Sequence, residues 1–354
     1  MSRKRRPTQV DVARQAGVSP AVVSTVLNGA GRGSVRVGPE AAARVRQAVR
    51  ELGYVPNPVA RNLAGGKNRI LGVFTFESIF PIERRNFYFP FLIGVEAAAE
   101  ERGYDLLLFT SASGPGSGRR IYRGGVNRLQ LTDGAVLLGH EPDKSEPARL
   151  SDEGFPYVFV GRRELPGAEP SYVAADYAGG TGQVVTYLAE LGHRRIAYLG
   201  TPSDREALRD RVAGFERSFA ALGLDRAQAV RERLDPEEVT PDRLRSWTDA
   251  GVTAFLAEND ILARSLLAAA DAGGLSAPRD FSFAVLGDPL EPSDDPPDWT
   301  SFKIPRQEMG RQSLEVLLDL LEDPSRAPLR RTLPCTLVPG ASTDRAPTKG
   351  VMPT

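Results

Sequence analysis

The residue types that most often carry chemistry are scarce in this 354-residue chain. A single cysteine, Cys335, can form neither an intrachain disulfide nor a thiolate metal cage. Two histidines, His140 and His193, are too few for a His-based metal centre. His193 sits in Leu191-Gly192-His193-Arg194-Arg195, between an expected helix and an expected strand, and reads as a turn residue; His140 follows a strand and is a weak ligand candidate. Gly114-Pro115-Gly116-Ser117-Gly118 has neither Gly-x-Gly-x-x-Gly spacing nor a Gly-Lys-Ser/Thr phosphate loop, so it reads as a surface loop. No Gly-x-Ser-x-Gly elbow occurs; the nearest string, Gly17-Val18-Ser19-Pro20-Ala21, opens a helix instead. Asp294-Asp295, flanked by prolines, reads as an exposed loop. No active site assembles from these residues, and neither a cofactor nor a metal is expected.

What the chain does have is segregated charge. Lys and Arg total 45, as do Asp and Glu, yet residues 1–69 hold 13 cations against three acids (Asp11, Glu40 and Glu51). That surplus of ten leaves the remainder of the chain with an equal negative excess. A basic module on an acidic body points to a polyanion partner for the module alone. No apolar run approaches the ~18 residues of a membrane span. The basic opening Ser2-Arg3-Lys4-Arg5-Arg6 lacks the apolar segment of a signal peptide, which predicts a cytoplasmic protein without a membrane partner.

The basic module has helical punctuation. Thr8 is placed to cap a helix ending near Ala16, with Asp11 in its positive first turn and Gly17 as its exit. Ser19 caps a second helix with Pro20 at its first position, where no N–H is needed; this helix breaks at Asn28-Gly29. A third runs from about Pro39 to Leu52 and stops at Gly53. Two short helices joined by a three-residue turn and followed by a third form the helix-turn-helix plan. Pro20, Ala21, Ser24 and Thr25 face outward and are small, so the backbone can approach a groove closely.

Thr8-Gln9-Val10-Asp11-Val12-Ala13-Arg14-Gln15-Ala16-Gly17-Val18-Ser19, then Val23-Ser24 and Val26-Leu27-Asn28-Gly29, resemble the lactose/galactose repressor (LacI/GalR) family. The likeness continues through Glu51-Leu52-Gly53-Tyr54-Val55-Pro56-Asn57, Ala60-Arg61 and Leu63. It implies a recognition helix in the major groove, base reading by Pro20, Ala21 and Thr25, and phosphate contacts from Thr8, Ser24, Asn28, Tyr54 and Asn57. Ser19, Ala60, Arg61 and Ala64 complete the implied DNA-binding set. Val22 and Thr25 stand where the family commonly has threonine and arginine, and Ala41-Ala42 replaces a usual Thr-Arg. Thr25 cannot make arginine's bidentate contact to guanine, so the operator differs from those of better-known relatives. The basic stretch Gly31-Arg32-Gly33-Ser34-Val35-Arg36 is placed to recover phosphate contact.

Residues 56–68 link the two parts. Val59 to Ala64 span about one and a half helical turns before Gly65-Gly66, too short to fold alone in water. A plain flexible linker is one reading. The family implies another: a hinge helix that orders on DNA and wedges Leu63 into the minor groove.

The acidic body alternates expected strands at 70–75, 105–109, 134–138, 157–160, 195–199, 254–257 and 283–286 with expected helices at 89–102, 176–191, 208–221, 261–272 and 306–321. This pattern predicts an α/β fold of doubly wound parallel sheets, in two similar lobes because one sheet of modest size cannot absorb so many elements. The resemblance implies the periplasmic sugar-binding fold. The expected division is a head at 1–55, a hinge at 56–68 and a body at 69–354; the first lobe spans about 69–188 plus 303–327, the second about 189–302 plus 328–345. Sites in such folds lie at the carboxyl ends of strands.

The resemblance also implies an effector site. Arg211-Val212-Ala213-Gly214-Phe215 is similar to the family's Arg-x-x-Gly-aromatic segment, and Asn259-Asp260 to its Asn-Asp pair. Asp288 follows a strand where the family has an effector-binding aspartate, although Leu286-Gly287-Asp288-Pro289 replaces the usual Gly-aromatic-Asp-Asp. Asp176 and Trp299 join this polar and aromatic set. Phe74, Tyr88 and Phe89 are positioned to cover an apolar sugar face, and Asn86-Phe87-Tyr88-Phe89 matches Asn-Pro-Phe-Phe in part. A sugar fits best; a nucleobase or another small metabolite remains open. The expected function is an effector-controlled DNA-binding transcriptional regulator, a repressor acting as a homodimer on a two-fold operator. The rival is a soluble small-molecule-binding protein or enzyme without a DNA role.

Overall fold

The computed structural model describes residues 7–28, 37–54, 68–77, 85–112, 118–140, 143–224, 229–288 and 297–347. The expected hinge up to residue 67, the 31–36 stretch, Asp294-Asp295 and most of the glycine-rich string lie outside these residues, as do Asn57, Ala60, Arg61, Leu63 and Ala64.

The head contains three helices, α1 (Gln9–Ala16), α2 (Pro20–Asn28) and α3 (Pro39–Leu52). Thr8 and Asp11 form a reciprocal capping box, so two otherwise unsatisfied N–H groups are bonded at the start of α1. Gly17 ends α1 at φ 62°, a left-handed conformation that costs glycine little. Val12, Ala13, Ala16, Val23, Val45 and Ala48 form the buried centre of the head, with Val18, Val22, Val26, Leu52 and Tyr54 packed around it. The Arg44 guanidinium donates to the Ala16 carbonyl at 3.1 Å, placing a cation at the negative end of α1.

The body begins with β1 (Ile70–Thr75), α4 (Arg85–Arg102) and β2 (Asp105–Phe109), then a short hairpin of β3 (Tyr122–Arg123) and β4 (Val126–Asn127). It continues through β5 (Ala135–Leu138), α5 (Ser145–Asp152), β6 (Tyr157–Val160), β7 (Tyr172–Asp176), α6 (Tyr177–Glu190), β8 (Ile196–Gly200), α7 (Glu206–Ala221) and β9 (Val230–Arg233). The remaining elements are α8 (Pro241–Asp249), β10 (Ala254–Ala257), α9 (Asp260–Ala272), β11 (Ser282–Val285), β12 (Thr300–Lys303), α10 (Arg306–Glu322), β13 (Arg330–Pro334) and β14 (Thr336–Val338).

Two six-stranded sheets result, ordered β13-β7-β6-β5-β1-β2 and β14-β12-β11-β10-β8-β9. Strands β13-β7-β6-β5-β1 pair in parallel, as do β12-β11-β10-β8-β9, and β12 pairs antiparallel with the edge strand β14. Strand parity sorts the core. Leu71, Val73, Val136, Leu138, Val158 and Val160 pack with Phe91, Val95, Leu314 and Leu317 of α4 and α10. Phe74, Phe76, Leu137 and Phe159 face the opposite way, against Ile121, Leu129 and Leu150. The second sheet is wrapped likewise: Ile196, Tyr198 and Leu256 face α6 and α7, whereas Leu199, Phe255 and Phe283 face α8 and α9.

The chain passes between lobes three times: between β7 and α6, after β12, and at Cys335 between β13 and β14. These points differ from the boundaries read in the sequence. Helix α6 packs against α7, β12 and β14, so the second lobe begins near 177 and not at 189. Strand β13 pairs with β7 along its whole length and belongs to the first lobe, which therefore extends beyond 327. The sequence reading also missed β3, β4, β7, β9, β12, β13 and β14, together with α5 and α8. All are short, and the exposed alternate positions of β9, β13 and β14 leave no continuous apolar run to mark them.

Candidate functional site

The two sheets present the carboxyl ends of their strands to a cleft between the lobes, as open α/β sheets do. The cleft comprises two chambers. One of about 130 Å³ is lined by Tyr88, Leu138, His140, Val160, Arg162 and Met309, among others. The second, of about 380 Å³, is lined by Arg211, Glu258, Asn259, Asp288, Ile304 and Arg306, among others. Phe87, Tyr177, Arg205 and Ala207 line both and form the waist between them.

Arg211, Asn259 and Asp288 are brought together in the larger chamber. Helix α7 carries Arg211 inward, 8% exposed, where its guanidinium lies 4.0 Å from the Tyr177 ring centroid. Its Nε donates to the Leu286 carbonyl at 2.9 Å and its Nη1 to the Ala207 carbonyl at 3.1 Å. These contacts fix the guanidinium plane and leave Nη2 without a hydrogen-bond partner among the described residues. Asn259 caps α9 through Oδ1, which accepts from the Leu262 N–H at 2.9 Å; its amide nitrogen remains a donor. Asp288 Oδ2 accepts from Arg306 Nη1 at 2.5 Å and from the Ile304 N–H at 3.1 Å. Because Asp288 follows β11 and Arg306 opens α10, this pair joins the two lobes beside a crossing point.

Tyr88 lies in the smaller chamber, buried, with its hydroxyl donating to Glu77 Oε2 at 2.9 Å. Four expected residues are placed elsewhere. Phe74 is fully buried on the α5 side of the first sheet, edge-on to Phe76 at 5.0 Å, because its strand parity turns it from the cleft. Phe89 is 46% exposed on α4 and lines neither chamber. Trp299 packs on Phe283, in the layer under α8 and α9. Asp176 caps α6, accepting from the Gly179 N–H at 2.8 Å. The sequence reading missed Tyr177, Phe87, Arg205, Glu258 and Arg306. The aromatic run at 86–89 is plain in the sequence, but helix geometry selects Phe87 and Tyr88 from it.

The remaining chemistry-bearing groups are structural. His193 is fully buried in the turn before β8, with Nε2 3.0 Å from the Asp344 carbonyl and Nδ1 2.9 Å from the Thr253 hydroxyl. A carbonyl only accepts, so Nε2 carries a proton; burial lowers the pKa of the ring and so favours its neutral form. Cys335 lies buried at a lobe crossing, where burial pushes its thiol up to about 12 and removes its nucleophilic form. Among the described residues no cluster of His, Cys, Asp and Glu is placed to hold a metal ion, and no helix is long and apolar enough to cross a membrane.

On the head, Ser19, Pro20 and Ala21 are exposed at the start of α2, and Ser24 and Thr25 are half-exposed on the following turn. The Thr25 hydroxyl donates to the Ala21 carbonyl at 3.0 Å, leaving its oxygen as an acceptor. The Thr8 hydroxyl donates to Asp11 at 2.7 Å, so its group is engaged in the capping box. Tyr54 packs half-buried against the small core.

Residues 8–57 match the family model described as bacterial regulatory proteins of the lacI family, and residues 185–343 match a periplasmic binding protein-like domain. The chain is 32% identical over 349 residues to the HTH-type transcriptional regulator CelR of Thermobifida fusca, covering 94% of this chain and 97% of that one. A solved structure of a CelR–cellobiose complex aligns with a TM-score of 0.60 at 30% identity, over 95% of this chain and 100% of that one. A Lac repressor dimer bound to operator and an anti-inducer shares the fold, with a TM-score of 0.64 at 23% identity over 96% of this chain and 100% of that one. The relatives are regulators, and the head and body carry the two halves of their architecture; the chain is therefore a member of the LacI family, a DNA-binding transcriptional regulator and not an enzyme.

Proposed function

We propose that this regulator is a cytoplasmic homodimeric repressor whose effector is a sugar of two units, held in the interlobe cleft. The observation that carries the reading is the convergence of Arg211 Nη2, the Asn259 amide and Asp288 with the Tyr177 and Phe87 rings. Two donors and an acceptor suit vicinal hydroxyls, and aromatic rings suit the apolar face of a pyranose. Two chambers meeting at an aromatic waist favour an elongated ligand, and the CelR complex holding cellobiose supports the same class. Cellobiose at millimolar concentration is expected to raise the thermal midpoint of the full chain by mass action, with glucose and hypoxanthine giving smaller shifts or none. A larger shift with hypoxanthine would move the reading to a nucleobase.

Operator contact is assigned to Thr8, Ser19, Pro20, Ala21, Ser24, Thr25, Asn28 and Tyr54 of the head, with Asn57, Ala60, Arg61, Leu63 and Ala64 in the hinge. Its support is the exposed small-residue start of α2 and the positive surplus of residues 1–69. On a duplex selected from a random pool, log affinity is expected to fall linearly with log salt, by about 0.9 per phosphate contacted. Burying a leucine is worth about 1.5–3 kcal/mol, so Leu63→Ala is expected to weaken the selected duplex roughly ten- to a hundredfold. Random duplex, held by phosphate contacts alone, should change little. Equal losses on both duplexes in a gel shift would reduce residues 56–68 to a tether.

A further inference from the structure

Along one wall of the cleft, three ion pairs join the lobes. The first lobe contributes Lys144, which precedes α5, together with Arg162 and Glu164, which follow β6; the second contributes Glu206, Arg209 and Asp210 from the first turns of α7. Lys144 Nζ meets Glu206 Oε1 at 2.9 Å. Arg162 grips Asp210 with two hydrogen bonds, at 3.0 and 2.8 Å. Arg209 Nη2 meets Glu164 Oε2 at 2.6 Å, and the Glu164 N–H donates to Glu206 at 3.3 Å. The two facing strips are complementary in sign.

Glu206 is the most committed member. It is 3% exposed, and burial by itself raises a carboxyl pKa, yet Lys144 and its own helix N–H hold it below the ordinary value. Its ionised form is therefore the one the closed cleft accommodates. The exposed Glu164–Arg209 pair alone is worth at most about 1 kcal/mol. All three pairs, however, form or break with a single variable, the angle between the lobes, so their contributions combine in one equilibrium.

We propose that this strip is a clasp that holds the lobes closed before any small molecule binds, with Glu164 and Arg209 as positioning residues that set how readily the cleft opens. Neither residue lines a chamber, although Glu164 also pairs with Arg162 and Arg209 approaches Glu206, which do, so closure measured without ligand is the direct readout. A ligand that binds the closed form has its apparent affinity scaled by the closed fraction. The consequence for effector response rests on the cleft reading above; the clasp itself is measurable without a ligand.

The test uses the full-length protein with a fluorophore pair at Asp152→Cys and Asp249→Cys, exposed sites on the first and second lobes, and single-molecule energy transfer. Glu164→Arg and the milder Glu164→Gln are expected to lower the closed-to-open ratio, by about fivefold for the pair lost. Combining Glu164→Arg with Arg209→Glu should restore only part of it, since the swap sets like charges beside Arg162 and Glu206. Raising salt from about 0.05 M to about 1 M should open the parent protein, since screening shortens to about 3 Å. A ratio unmoved by both single variants and by salt overturns the clasp. Failure of cellobiose to bind any variant would remove the effector reading and leave the closure result standing.

Discussion

Arg211→Ala is expected to abolish the response to the proposed sugar effector, with cellobiose as the probe, while leaving operator affinity intact. The expectation follows from how completely the side chain is committed. Its Nε and Nη1 are spent on the Leu286 and Ala207 carbonyls and its plane lies on the Tyr177 ring, so the position of Nη2 is set before a ligand arrives. A charge-assisted hydrogen bond contributes about 1.5–3 kcal/mol, and its loss weakens binding roughly ten- to a hundredfold. Tyr177 also loses the group that covers it, so the waist between the chambers loosens. Asp288→Asn should weaken the effector too, by a different route. It removes the charge paired with Arg306, which is 7% exposed, and part of the loss will appear as lower stability. Titration calorimetry with cellobiose, alongside a gel shift on operator, separates the two effects. Unchanged cellobiose affinity in Arg211→Ala would place the site elsewhere.

The second large effect concerns the helices that carry one wall of the cleft. Gly310 of α10 faces α4 so closely that an added Cβ would lie 2.1 Å from the Phe91 carbonyl oxygen; at Gly94, facing back, it would lie 1.8 Å from that of Gln307. The obstructing atoms are backbone, which cannot rotate aside as a side-chain tip does. Gly310→Val must therefore separate two helices whose contact covers the first sheet. Overpacking of this kind costs about 3 kcal/mol or more. For a body of this size the midpoint of thermal unfolding should fall by roughly 6–12 °C. A melting curve that matches the parent would show that α4 and α10 have room to part.

These two expectations divide between sequence and structure. Arg211 is legible in the chain because its spacing to Gly214 and Phe215 repeats a family segment. Gly310 is not, because an interior helical glycine announces only a local cost; its use depends on Phe91, more than two hundred residues earlier.

The head was legible almost to the residue. Thr8, Gly17, Ser19, Pro20 and Gly53 act through hydrogen bonds and dihedral limits within a few positions, and those are written in local order. The strands that lie within apolar runs were legible for a similar reason, since burial on both faces needs a continuous stretch. The edge strands β13 and β14 were not: half their side chains meet solvent, and a partner strand alone defines them. Composition and local spacing thus determined a DNA-reading module on a two-lobed α/β body. Only the tertiary structure decided which residues face the cleft. It turned Phe74 away by parity, capped a helix with Asp176, left Phe89 on the surface, and set Tyr177 against Arg211 and Arg306 against Asp288. Tyr177 and Arg211 meet because two helices of the second lobe pack together, and Arg306 and Asp288 because the lobes meet, long-range relations that no local pattern encodes.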